Sequence, residues 1–399
     1  MEFLTSLAGA CAPAAGASDA RACRAGRGAL RLMAGVAGLC VAFGLHAAEL
    51  VVAHVGPFTG PLSVNGLPNY DGGKACIDEV NAAGGVNGHT FRLVREDDKY
   101  KPDETIRLLR EVAQRDKPIA FINLLGSASV SAVLKNRTLE ELKIPAIGVT
   151  PGADVLRNPG SPWIFHVHAS DNAQLKRILS QLNSVGLNRI AVAYQDIPFG
   201  QSGMKYIDQL APSLKVEIVG RVPVPSAADS LAAPAAALRA TQAQAYVMIL
   251  VPNSGASLVR DVRSGGDKTP VYGMSYVPVA GILEKAGGAN ATGVGLAQVT
   301  PNTFSSSTGL VRSFHAAMDK FAAPGTAHSQ LHLIGYLSCR VMVEGVRAAG
   351  ASPTPERLRA SMQKVRTDLG GYFLDFTEGN DGARYVDIGV ITKEGRLLY

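Results

Sequence analysis

The sequence is short of the groups that carry covalent chemistry. Five cysteines occur in 399 residues, and Cys11, Cys23 and Cys40 all precede residue 48. Only Cys76 and Cys339 lie beyond it, too few for a disulfide scaffold. Each sits in an apolar helical context, so two buried thiols are expected rather than a bridge. CxxC and HExxH are missing, and the eight histidines show no ligand spacing on a helix face, so no metal is expected. Gly293-Val294-Gly295 is followed by Leu296-Ala297-Gln298 and by no evident helix, which argues against a dinucleotide site. Gly72-Gly73-Lys74 has Pro68 where a phosphate loop has its first glycine, and Gly200-Gln201-Ser202-Gly203 lacks the spacing of a nucleophile elbow. Asp97-Asp98 at a strand end reads as a pair of solvated turn residues. No catalytic set is complete, so neither an enzyme nor a bound cofactor is expected.

Blocks of charge are also missing. Of the formal charge of +6, a net +2 comes from Glu2, Asp19, Arg21, Arg24, Arg27 and Arg31, which leaves +4 for the rest. That excess is spread along the chain without aromatic interleaving, so nucleic acid is a poor partner. Long apolar runs are confined to the start. Arg21 to Arg31 supplies a positive segment, Leu32 to Leu45 an apolar one, and His46-Ala47-Ala48 ends it, the pattern of a secretory leader over residues 1–48. A spanning helix needs about 20 apolar residues, which this run does not reach. Leu39 before Cys40 disfavours a lipoprotein. The mature chain is expected to begin near Ala48 or Glu49.

What is present is alternation, and 47% hydrophobic residues over this length are enough for two cores. Ile119 to Leu125 reads as a buried strand, Gly126-Ser127-Ala128-Ser129 as a turn, and the next stretch as a helix with Ser127 as its N-cap. Ile144 to Val149 repeats the plan, ending in Thr150-Pro151-Gly152-Ala153. Two such turns on neighbouring parallel strands would offer free N–H groups as one anion-favouring ledge. Glu49 to Val55 and His89 to Arg95 are further strands, with helices at Tyr70 to Ala83 and Pro102 to Arg115. Trp163 to His168 is extended and reads as a crossover to a second alternation, whose strands are Arg189 to Tyr194, Val216 to Val222, Ala245 to Val251, Val271 to Gly273 and Gly295 to Thr300. Three helices follow, and Tyr372 to Phe376 with Tyr385 to Thr392 reads as a closing hairpin. The fold class is therefore α/β, with two doubly wound parallel-sheet lobes.

Gly56-Pro57-x-Thr59-Gly60 after the first strand, Asn81 to Gly88 after the first helix, Asp97-Asp98 before Pro102, and Tyr194 to Gly200 occur in this order. Together with the Ile119 to Asp154 stretch, they make the chain resemble the leucine/isoleucine/valine-binding proteins. These are type I periplasmic solute receptors of ABC importers, and the similarity runs over essentially the whole mature chain. The resemblance implies a three-segment hinge near Val167 to Ser170, Ala297 to Pro301 and Gly371 to Phe376. It divides the chain into a first lobe of residues 49–168 with 300–372 and a second lobe of residues 169–299 with 373–399. It also implies a monomer in the periplasm, binding a small carboxylate-bearing ligand and handing it to an ABC permease in the inner membrane. An exported ligand-sensing module that presents its bound form to a membrane signalling protein is the alternative.

Carried over by position, Gly126 and Ser127 would hold the ligand carboxylate, and Gly152, Ala153 and Asp154 would form the second turn. Asp154 departs from the family's usual threonine, and Asn65 stands in the place of an aromatic residue. Phe199 matches an aromatic contact in the second lobe. Where amino-acid receptors commonly carry a tyrosine and then an acid, this chain has Val251-Pro252-Asn253 and Met274-Ser275-Tyr276, so Ser275 and Tyr276 are candidate contacts. Tyr70 and Tyr194 are further candidates for the pocket wall. An ammonium in a closed cleft requires a countercharge. Either Asp154 or Asp196 supplies it, or the ligand is an acid without an amine.

Overall fold

Short apolar runs become the strands of two sheets, and the amphipathic stretches between them cover both faces of each. The structure is a computed structural model describing residues 48–225 and 230–399. The expected leader lies outside the described residues except for Ala48, which opens the first strand.

In the first sheet, β1 (Ala48–Gly56), β2 (His89–Asp97), β3 (Ala120–Ile122), β4 (Ala146–Ile147) and β5 (Ile164–Phe165) run parallel in the order β2-β1-β3-β4-β5. Side chains alternate strictly across it, as the pleat requires. Val52, Ala120, Ile122, Ile147 and Phe165 point to one core, and Ala53, Phe121, Ala146 and Ile164 to the other. The first core is closed by the helices Ser63–Ala82, Gly309–Phe321 and Gln330–Ala349, the second by Pro102–Arg115 and Ser127–Lys135.

The second sheet repeats the arrangement with β6 (Arg189–Gln195), β7 (Glu217–Val224), β8 (Ala245–Ile249), β9 (Val271–Gly273) and β10 (Gly295–Gln298), again parallel. Later in the chain, β11 (Arg366–Asp368) and β12 (Phe373–Asp375) form a separate antiparallel pair. The last strands, β13 (Asp387–Ile391) and β14 (Leu397–Leu398), join the second sheet, whose order is β14-β13-β10-β9-β8-β6-β7.

Four expectations need correction. The strand expected over Ile119 to Leu125 stops at Ile122, because Asn123 takes φ +56° and turns the chain. The helix after it breaks at Arg137, φ +51°, and resumes as Thr138–Leu142. The closing hairpin does not form: Phe373–Asp375 pairs with Arg366–Asp368, and Asp387–Ile391 pairs with Gly295–Gln298. Leu374, Phe376 and Ala383 pack in the core under the first sheet, and His166 bridges Asp381. The return to the second sheet therefore comes after Ala383, where residue 373 was expected, because burying these apolar groups on the first core outweighs pairing within the hairpin.

The fourth correction concerns the cysteines. Cys76 and Cys339 are bridged, with Cα atoms 6.1 Å apart, although 263 residues separate them. Glycine makes the approach possible. A Cβ on Gly72 would lie 1.9 Å from His332 O, and one on Gly335 would lie 1.9 Å from Asn69 O, so two helices touch backbone to backbone. Each cysteine stands four residues after one of these glycines, on the same helix face.

Connections between the two halves are cross-tied by side chains of the first. Tyr372 Oη, buried, lies 2.9 Å from Val167 O and 3.0 Å from Val299 O, its single proton shared between two crossing segments. The Arg157 guanidinium donates to His168 O at 3.1 Å and pairs with Asp381 at 2.9 Å.

Candidate functional site

All parallel strands of both sheets end toward one crevice, where open α/β sheets present their turns. A cavity there, partly open to solvent, is walled by residues of both halves, the kind of place where small molecules bind. The first half contributes Leu62 and Asn65 after β1, Tyr100 after β2, Leu125, Gly126 and Ser127 after β3, and Thr150 and Pro151 after β4. The second contributes Ile197 and Phe199 after β6, Val251 and Pro252 after β8, and Tyr276 after β9. A second cavity shares Leu62, Tyr100, Ser127, Ile197, Phe199 and Val251 with it and has Asn253 in its wall.

Backbone geometry places these groups. Gly126 has φ +96°, and a Cβ there would sit 2.3 Å from the Tyr100 ring. A side chain at this position would be strained and would collide. The expected role of Ser127 as N-cap is corrected: Gly126 is the N-cap, without a side-chain bond, and Ser127 is the first helical residue. Its backbone N–H is among the amides that a helix start leaves unsatisfied, and its side chain is half-buried at the cavity wall. The next amide, of Ala128, hydrogen-bonds the Tyr100 hydroxyl, whose pKa burial raises. Asp97 and Asp98 are not solvated turn residues. Asp97 accepts from Phe58 N, Thr59 N, Thr59 Oγ1 and Lys99 N, and the fully buried Asp98 accepts from Tyr100 N and Thr105 Oγ1. They hold the loops that carry Leu62 and Tyr100.

The second turn is used differently from what was expected. Gly152 N–H donates to Tyr276 Oη at 3.0 Å, and Tyr276 Oη donates to Asp171 Oδ1 at 2.6 Å. Asp171 N–H in turn donates to Gly152 O at 2.8 Å, closing a ring of bonds between the halves. Burial pushes the Asp171 carboxyl up to about 6, against the opposing hydrogen bond from Tyr276 and the charge of Arg157. The Tyr276 ring meets Phe199 edge-on, centroids 5.4 Å apart.

Five of the nine expected contacts therefore come together at the cavity: Asn65, Gly126, Ser127, Phe199 and Tyr276. Gly152 reaches it only through the Tyr276 hydroxyl. Ala153 is buried in the first-sheet core, and Asp154 turns away to accept from Asn172 N at 3.2 Å. Ser275 is buried, with its N–H donating to Gln174 Oε1. Tyr70 lies outside the cavity wall, against Phe58 and under Arg95, and Tyr194 packs beside the second-sheet core. Thr150 and Pro151 belong to the second turn of the expected ledge, whereas Leu62, Tyr100, Leu125, Ile197, Val251 and Pro252 were not among the expected contacts; the strand-end position of each was the available signal. Among the described residues, no group of three or more His, Cys, Asp or Glu is placed to hold a metal ion, and no helix is long and apolar enough to cross a membrane.

This geometry has known counterparts. An extracellular ligand-binding receptor from Verminephrobacter eiseniae superposes with a TM-score of 0.84 at 33% identity, covering 88% of this chain and all of that one. An amino acid binding protein of Pseudomonas aeruginosa is 25% identical over 313 residues, 76% of this chain and 80% of its own. A Leu/Ile/Val-binding protein homolog of Brucella suis is 23% identical over 381 residues, 91% of this chain and 94% of its own. These are binding proteins, not enzymes. The periplasmic binding protein model matches residues 49–391, and the chain belongs to that family.

Proposed function

We propose that the protein is the solute receptor of an ABC importer, closing its two halves over a small carboxylate-bearing ligand that it passes to a membrane permease. The observation that carries this reading is the division of the cavity wall. Ser127, at the start of its helix, supplies N–H and hydroxyl donors and the positive end of a helix dipole. Across from it the second half offers Ile197, Phe199, Val251 and Pro252, an apolar wall. A carboxylate on the first side and a hydrocarbon body on the other would touch both halves only when they are closed. Such a ligand favours the closed state by its differential contacts. Asn65, Gly126, Ser127, Phe199 and Tyr276 are the contacts we assign, with Gly152 acting through Tyr276. The Pseudomonas relative is named for binding amino acids and the Brucella relative for binding Leu, Ile and Val, which agrees with a small carboxylate-bearing ligand.

Ser127→Ala tests the assignment. A hydrogen bond to a charged group contributes about 1.5 kcal/mol or more, so the variant should bind roughly tenfold more weakly by calorimetry with its melting temperature unchanged. Unchanged affinity rejects the proposed carboxylate site.

A further inference from the structure

Resting on that reading, the cavity wall also restricts what the ligand can carry besides its carboxylate: we infer that the solute is an amine-free acid with an aliphatic or aromatic body, and that α-amino acids are discriminated against. A carboxylate can be held at the helix start by Ser127. Asn65, buried at the cavity wall with its Oδ1 unpartnered, offers a neutral acceptor or, with its terminal amide turned over, an N–H, and so favours neither group. What an ammonium lacks there is a countercharge. None of the described residues lining the cavity is an acid.

Each carboxylate that could serve is committed elsewhere. Asp154 faces the start of the helix Asp171–Ser184, accepting from Asn172 N. Asp196 is exposed and bonded to Gln201. Asp98 is buried and takes the bonds of Tyr100 N and Thr105 Oγ1. Asp171 stands behind Tyr276, whose hydroxyl gives its proton to that carboxylate and takes the Gly152 N–H on its lone pair. Tyr276 therefore has no free proton for the ligand, and Asp171 itself does not line the cavity. Closing over an amino acid would strip water from an ammonium and return no countercharge, whereas the same molecule without its amine loses nothing.

Matched pairs test this on the intact protein by calorimetry and thermal shift: 4-methylpentanoate against L-leucine, 3-phenylpropanoate against L-phenylalanine, and 4-methylpentanamide as the neutral control. The expected result is at least tenfold tighter binding of each acid than of its amino acid, a weaker amide, and loss of the acid preference over the amide in Ser127→Ala. Equal or tighter binding of leucine or phenylalanine overturns the inference while leaving the receptor reading intact. An amide as tight as the acid overturns the carboxylate anchor. If no member of either series binds, both the inference and the receptor assignment fail.

Discussion

The first sheet and the second share a plan but not a filling. All eight histidines lie outside residues 171–299 and 387–399, which build the second sheet and its helices. Four of them, His54, His166, His168 and His332, are buried in the first half or in the strand that leaves it. The disulfide joins two helices of the first half as well. In the second, apolar side chains alternate across the sheet, from Ala191 and Val192 to Tyr246 and Val247, with no cysteine among the residues that build it. Two halves with one architecture should therefore differ in their weak points, since reductant and the charging of buried histidines act on the first.

Removal of the disulfide should show the difference most. In the chain-entropy model, closing a loop this long removes entropy from the unfolded chain worth about 5.5 kcal/mol. Cys76→Ala with Cys339→Ala should lower unfolding stability by about that amount, and hydrogen exchange should rise first in peptides of Ser63–Ala82 and Gln330–Ala349. Equal acceleration in the second half would break the comparison.

Acid comes next. Burial holds His54 down to about 3, with the Arg95 charge adding to it, and His168 and His332 to about 4. A histidine whose folded pKa lies below its unfolded value contributes stability above about pH 6.5, and this is lost as pH falls toward the folded pKa. Each such group can remove roughly 3 kcal/mol across that window. Urea melts should therefore weaken steadily from pH 6.5 to 4. His54→Leu, which keeps the contact with Phe58, should flatten that slope by about one proton. A slope unchanged in this variant would remove His54 from the account.

Asp171 works in the opposite direction. It opens the first helix of the second half, and its folded pKa of about 6 lies above the ordinary 3.8. A raised carboxyl destabilises the folded state at pH above 6, and the penalty is relieved as pH falls through 6 toward 4. Asp171→Asn should be about 1 kcal/mol more stable at pH 7 and should lose that relief on acidification. A variant with the parent's pH profile would show that the ring of bonds through Tyr276 and Gly152 does not depend on charge.

The sequence made the strand-end turns readable, since a glycine-hydroxyl pair after a short apolar run marks a strand giving way to a helix. Phe199 and Tyr276 came from positions matched to the family, and Gly126 and Ser127 were found from the turn itself. Leu62, Ile197, Val251 and Pro252 were not, because an apolar cavity wall and an apolar core have the same composition. Asp154 was misplaced because a carboxylate at a turn does not reveal which helix it faces. The disulfide was missed because each cysteine sits in an apolar helical context that suits a buried thiol, although the repeated spacing of Gly72 to Cys76 and Gly335 to Cys339 marks two helix faces able to meet closely. The final hairpin was misread because local alternation says nothing about which distant edge is vacant.

Cys339 lies in a helix that closes one face of the first sheet, yet it follows the five parallel strands of the second sheet in the chain. During synthesis those five strands are complete by Gln298, while the earlier sheet still shows a bare apolar side until the helices from Gly309 onward arrive. The half that is first in order is thus closed only late, and the covalent bond that locks it can form only once residue 339 of 399 has emerged.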